Sequence, residues 1–237
     1  MVKCLENIQK VWVHNRMQEI FSITAEAPCS LTDTMELFQQ AATGHSHDLN
    51  IHFDRMLEEF RCLWMIVRGK VHLDRMPKGQ IRINTWLRKP SSLVSIRDYS
   101  IFEGDEEIGY GVYSWALVSA EERKLINMRS IPPVLDAPTR SPERQGAVKR
   151  IQLPDHMEPK GLWTVRPEEI DKNGHVNNVC YIRHGEELFP GSTDLEVIYD
   201  RECFVGENIT LLAKDGFVQG VKESGEECFR AKFWRDL

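Results

Sequence analysis

The sequence predicts an α+β fold made of two copies of one unit, each an antiparallel sheet wrapped on a single helix. Three observations carry that reading. The order strand, helix, strands occurs twice along the 237 residues. A proline-containing stretch with little hydrophobic periodicity separates the two occurrences. Gly-containing turn signals divide the strand runs: Glu103-Gly104-Asp105 in the first half, Asp215-Gly216 and Ser224-Gly225 in the second. The expected organisation is residues 1–120 as the first copy, 121–159 as a connector, and 160–237 as the second copy.

Each element follows from local pattern. Residues 18–26 read as a strand. Thr32-Asp33 offers a helix N-cap, and Met35, Leu37, Phe38 and Ala41 follow at helical spacing. Four runs at 63–73, 80–87, 93–102 and 108–119 read as strands. In the second of them Ile81, Ile83 and Thr85 alternate with Arg82 and Asn84. Prolines at 132, 133, 138, 142, 154 and 159 mark the connector. Residues 161–166 begin the second copy as a short strand. Asn177-Asn178 is the next cap candidate, with Val179, Ile182 and Leu188 on the helix behind it. Runs at 195–199, 208–213, 217–221 and 228–234 complete the set. Two such sheets pairing edge to edge would cover exposed strand edges.

Composition narrows the function. Hydrophobic residues make up 41% and charged residues 28%, a globular balance. No apolar run approaches the ~20 residues of a membrane-spanning helix. The net charge of −6 argues against a general nucleic-acid binder. Six cysteines form no CxxC pair and read as reduced thiols, most of them small buried hydrophobes. The N-terminal residues show neither a secretory h-region nor an organelle transit composition, so a cytosolic location is expected.

The densest polar cluster is Asp171-Lys172-Asn173-Gly174-His175-Val176-Asn177-Asn178, just before the second helix. Asp171, Asn173 and His175 sit two residues apart, and in an extended segment they share one face. A carboxylate, an amide and an imidazole together can fix a tautomer, position a carbonyl and move a proton. A polar turn with a cap would also account for them. The repeat supplies a control. Aligning Leu31-Thr32-Asp33 with Val176-Asn177-Asn178 puts Glu26, Pro28 and Ser30 opposite the trio, so the first copy keeps a cap and lacks the trio. That asymmetry favours one site per chain, in the second half. Farther on, Tyr199-Asp200-Arg201-Glu202-Cys203 ends a strand. Glu202 can serve as a general base and Cys203 as a nucleophile if either reaches the trio. A strand-end charge pair with Arg201 is the plainer alternative.

At these residues the sequence resembles the acyl-acyl carrier protein (acyl-ACP) thioesterases of plants and bacteria. Asp171 to Asn178, with Tyr181-Ile182, resembles that family's Asp-x-Asn-x-His-Val-Asn-Asn-x-x-Tyr-Ile signature. Tyr199 to Cys203 is similar to its Tyr-Arg-Arg-Glu-Cys segment. Thr85-Trp86, Arg97-Asp98-Tyr99-Ser100-Ile101 and Ser114-Trp115-Ala116-Leu117 resemble strands of its first half. The chain departs from the family at His184, where a Trp is usual, and in a compressed loop at 189–193.

The resemblance implies tandem hotdog domains and hydrolysis of fatty acyl-ACP, which ends chain elongation, with no cofactor. It implies Glu202 as base on a water, Asn173 and His175 positioning that water and polarising the thioester carbonyl, and Asp171 fixing their geometry. Attack by Cys203 with His175 as base is the rival mechanism. The acyl chain would lie in the first hotdog, with Met35, Phe38, Leu63, Trp64, Met65 and Trp86 as candidate liners. The carrier protein is acidic, so docking calls for a local basic patch. Between residues 123 and 150 seven basic residues face two acidic ones, and Arg140, Arg144 and Lys149 are the candidates. An acyl-CoA thioesterase, a hotdog dehydratase and a non-enzymatic acyl- or carrier-binding module are the competing readings. His45, His47 and His52 raise a metal site as a further rival, but no carboxylate or cysteine spacing completes a ligand pattern. Monomer and homodimer both stay open, because tandem copies supply within one chain the pairing that single hotdogs obtain by dimerising.

Overall fold

A computed structural model describes residues 18–141, 148–171 and 174–235. Ten strands form one continuous antiparallel sheet, in the order β1-β3-β4-β5-β2-β7-β10-β9-β8-β6. The first five are β1 (Phe21–Ala25), β2 (Cys62–Leu73), β3 (Ile81–Leu87), β4 (Ser95–Glu103) and β5 (Glu106–Ser119). The second five are β6 (Glu158–Thr164), β7 (Asp194–Tyr199), β8 (Asn208–Lys214), β9 (Phe217–Lys222) and β10 (Glu227–Trp234). Each half is a hotdog: α1 (Leu31–Asp48) lies against β1 and β3, and α4 (Asn178–Leu188) against β10.

The halves join edge to edge, as the exposed-edge argument expects. β2 pairs with β7 from Arg68 opposite Ile198 to His72 opposite Asp194. Lys70 Nζ and Glu196 Oε1 add an ion pair 3.4 Å apart on that seam. One hydrophobic core runs through both halves, from Leu31 and Phe38 to Phe229 and Phe233. Close helix–sheet contact depends on glycine. The Phe38 ring stacks on Tyr99 at 4.2 Å and lies over Gly111, where a Cβ would stand 2.2 Å from the ring. Gly185 of α4 plays the same part for Phe233, at 2.7 Å.

Three local expectations change. The first helix is capped by Ser30, not by Thr32-Asp33. Ser30 Oγ accepts from the Asp33 N–H at 3.0 Å, and the Asp33 carboxylate accepts from the Cys29 N–H, one residue before the cap, at 2.9 Å. A further helix, α2 (Phe53–Phe60), precedes β2. Its signal was Phe53, Met56, Leu57 and Phe60 at i, i+3, i+4 and i+7. The connector is also more structured than its prolines suggest. Leu125 bridges back to Val118, and Pro132–Asp136 forms a short helix, α3, with proline in its first turn. Met128, Ile131, Val134 and Ala137 then share a second core with Leu49, Met56 and Leu117.

Candidate active site

The loop before α4 is a tight hairpin, not the extended segment that the two-residue spacing assumes. Ile170 bridges Val176, the Asp171 N–H donates to His175 O at 2.8 Å, and Gly174 takes φ +80°. That backbone conformation suits glycine. Asp171 and His175 still meet, because the hairpin folds one across from the other. The His175 N–H reaches Asp171 Oδ1 at 3.4 Å. Asn173 lies outside the described residues. Asn177 caps α4 by accepting from the Val179 N–H at 3.1 Å, and it accepts from Gln39 of α1 at 3.2 Å.

The segment after β7 comes alongside through the Val176 N–H, which donates to Cys203 O at 3.1 Å. This places Glu202 Oε1 3.3 Å from His175 Nδ1. The Lys222 ammonium holds the same residue's carbonyl at 2.7 Å. Glu202 lines the cavity, while Cys203 is fully buried. The Cys203 N–H donates to the Tyr181 hydroxyl at 3.0 Å, and its free thiol lies in the same core as that of Cys228. A nucleophile must reach its substrate, and this thiol does not face the cavity.

The cavity has a volume of about 730 Å³. Asp171, His175, Asn178, Tyr199 and Glu202 line one part of it, and α1, β2 and β5 supply half of the remainder. Of the proposed acyl-chain liners, Trp64 and Met65 do face it. Met35, Phe38 and Trp86 do not. Met35 and Phe38 are fully buried in the main core, and Trp86 packs under the Arg140 guanidinium, 5.4 Å from its ring centre. Leu63 is likewise absent from the cavity wall. Helical and strand spacing identifies apolar positions but does not separate packed from cavity-facing ones. Ala42 and Ala116, two small residues, line the cavity instead.

The usual Trp position, His184, is accommodated by a buried carboxylate. Glu169 accepts from His184 Nε2 at 3.1 Å, from Trp163 Nε1 at 3.0 Å and from the Arg166 N–H at 2.8 Å. Burial pushes the Glu169 carboxyl upward, and these three bonds outweigh it and hold it below its ordinary value.

The histidine cluster does not converge. His45 bonds Gln18 O through Nε2 and Arg97 through Nδ1, at 3.0 and 2.8 Å, while His47 and His52 stack on each other. Among the described residues no group of three His, Cys, Asp or Glu side chains is placed to hold a metal. The five described cysteines are free thiols. Of the basic docking candidates, Lys149 is exposed, Arg140 is engaged with Trp86, and Arg144 lies outside the described residues.

One residue of the site was not singled out from the sequence. Arg123, in the turn after β5, reaches His175 Nε2 at 2.8 Å and Glu202 Oε1 at 3.4 Å. Its only sequence signal was a place in a basic run, which does not distinguish it from its neighbours.

Comparison with known proteins bears on the whole arrangement. Residues 7–130 match the acyl-ACP thioesterase N-terminal domain, and residues 155–230 match its C-terminal domain. A chloroplastic oleoyl-acyl carrier protein thioesterase of Coriandrum sativum is 25% identical over 195 residues, covering 74% of this chain and 51% of the relative. The chloroplastic acyl-[acyl-carrier-protein] hydrolase FATB2 of Cuphea viscosissima is 26% identical over 206 residues, 77% of this chain and 50% of the relative. The chain thus spans about half the length of the curated relatives it matches. Among solved structures, an acyl-ACP thioesterase from Bacteroides thetaiotaomicron superposes with a TM-score of 0.81 at 22% identity, over 91% of this chain and 97% of that one. The 12:0-ACP thioesterase of Umbellularia californica superposes at 0.74 and 18% identity, over 94% and 98%. These two superpositions show the tandem hotdog fold.

Proposed function

The chain belongs to the acyl-ACP thioesterase family, and from that premise we propose that it hydrolyses a fatty acyl thioester carried on acyl carrier protein. The observation that carries the reading is the His175–Glu202 pair, with Asp171 behind it, on the wall of a cavity large enough for an acyl chain. In this reading Glu202 takes a proton from a water as its oxygen bonds to the thioester carbon. The tetrahedral intermediate then expels the thiolate by breaking the C–S bond, and the proton passes to sulfur. The free fatty acid and the carrier thiol are the products. His175 orients the Glu202 carboxylate through Nδ1, and Asp171 holds the His175 backbone. Among the described residues Glu202 Oε2 has no partner, which leaves it available to the water. The burial of Cys203 favours water attack over an acyl-enzyme.

The carrier protein as partner rests on family membership and on the basic residues of the connector. The test is release of free thiol from a panel of acyl-ACP and acyl-CoA substrates of varied length. Higher kcat/KM on acyl-ACP supports the proposal. Preference for acyl-CoA replaces the carrier, and no release from any substrate overturns the enzymatic reading in favour of an acyl- or carrier-binding module.

A further inference from the structure

We propose that Arg123 is a positioning residue of the active site, fixing His175 in its Nδ1-protonated tautomer and joining it to Glu202. This deepens the hydrolytic reading above and rests on it for its kinetic consequence. A guanidinium has five donors and no acceptor. Arg123 Nη2 stands 2.8 Å from His175 Nε2, so that ring nitrogen must offer its lone pair. The proton of the neutral ring then sits on Nδ1, which faces Glu202 Oε1 at 3.3 Å. Arg123 Nη1 meets the same oxygen at 3.4 Å. One cation thus closes a triangle with the imidazole and the carboxylate, and pins Oε1, while Oε2 has no partner among the described residues.

The triangle also changes the part given to His175. With Nε2 accepting and Nδ1 turned to Glu202, the ring has no N–H left for a thioester carbonyl. It aligns the base, and carbonyl polarisation passes to other donors.

The backbone supports a built feature. Arg123 adopts φ +56°, a left-handed conformation uncommon for a side chain of this size. Four contacts impose it: the Arg123 N–H on Ser119 O, the Ser119 N–H on Lys124 O, the Ile126 N–H on Leu117 O, and the Val118–Leu125 bridge. Strained residues of this kind persist where the surroundings over-determine them, and they gather at functional sites. The turn opens the connector and is tied back to β5 of the first hotdog, whereas His175 and Glu202 belong to the second. Arg123 therefore makes the site a joint product of both halves.

The test uses Arg123→Met and Arg123→Lys, which keep a Cβ and so bear the same backbone cost. Histidine ring 15N NMR, with His175 assigned by its loss in His175→Gln, reads the tautomer directly. Wild type should show a protonated Nδ1 and an unprotonated Nε2. Arg123→Met should lose that preference and drop kcat about 100-fold, the effect of misplacing a reacting group by about 1 Å, with KM little changed. Arg123→Lys should recover part of the rate, because it restores one donor without the planar fork. A wild-type ring protonated on Nε2, or an unchanged tautomer in folded Arg123→Met, overturns the proposal whatever the rate. If no acyl thioester is hydrolysed by wild type, the functional reading fails while the NMR measurement still decides the tautomer.

Discussion

The Glu186 carboxylate, in the last turn of α4, caps the other half's helix: its Oε2 stands 2.6 Å from the Thr32 hydroxyl. The same carboxylate accepts the Leu31 and Thr32 N–H groups at 2.8 and 3.0 Å. These are first-turn donors that have no partner inside helix α1, and a carboxylate there also meets the positive end of the helix dipole. Glu186→Ala should therefore destabilise the chain by about 1–3 kcal/mol, the cost of leaving buried donors unsatisfied. Urea unfolding measures it, and Glu186→Gln should fall between the two. An unchanged midpoint in Glu186→Ala would show that water replaces the carboxylate at no cost.

Glu202 and Cys203 are neighbours with opposite surroundings, so their variants should separate. Glu202→Gln should lose turnover on the order of 100–10,000-fold, the usual worth of a positioned base. Cys203→Ala should keep turnover near the wild-type level and lose some thermal stability, because its thiol fills core space. Steady-state thiol release on both variants checks this. A dead Cys203→Ala enzyme with normal circular dichroism would return the thiol to the mechanism.

Ala116, on β5, is 2% exposed and lines the cavity beside Trp64 and Met65. Ala116→Leu should fill part of that volume and shift the acyl-length preference toward shorter chains. The added methylenes can cost about 1–3 kcal/mol if the wall does not yield. The length profile of thiol release, read beside the melting temperature, separates a filled cavity from a damaged fold. An unaltered profile would place the acyl chain elsewhere.

His45 is buried with Arg97 beside it. Burial first, and the neighbouring guanidinium second, push its imidazole down to about 3. The unfolded chain titrates near the ordinary value of 6.5, so between those limits the unfolded state binds the extra proton. The contribution of His45 is full above pH about 6.5 and is lost as pH falls toward 3, by up to about 1.4 kcal/mol per pH unit. His72 works in the opposite direction. Burial lowers its pKa, and bonds to Asp194 and Asp74 outweigh that and raise it. Its support is therefore full below the ordinary value and declines as pH rises through the raised one. Replacing His45 by Gln should flatten the acid side of a plot of melting temperature against pH. An acid slope equal to wild type would assign it to other groups.

Much of this was legible from residue order. The duplicated strand–helix–strands pattern predicted two like sheets, because periods of 2.0 and 3.6 survive in any sequence that buries one face. Polar turn residues marked the loop at Asp171 to Asn178 by density alone. What local pattern did not carry was the third dimension. Phe38 and Trp64 are both apolar residues in periodic segments, yet one is sealed against Tyr99 and the other faces the cavity. Glu202 was the favoured base and Cys203 the rival nucleophile, and burial is what separates them. Arg123 lies 52 positions before His175, and only the pairing of β2 with β7 and the return at Leu125 bring them together. In the connector, proline ends a periodic pattern in the sequence, yet Pro132 and Pro133 open a helix in the fold.

The β2–β7 seam has a biosynthetic consequence. A ribosome releases β2 early, and β5, made about 30 residues later, comes to flank it on one side. The strand that covers its other side, β7, emerges only after the connector, the Asp171 hairpin and α4 have been made. For that interval the nascent first half carries a bare edge, the feature through which unfinished chains most readily pair with the wrong neighbour. The second half must act as both the chemical partner and the late-arriving lid on that edge.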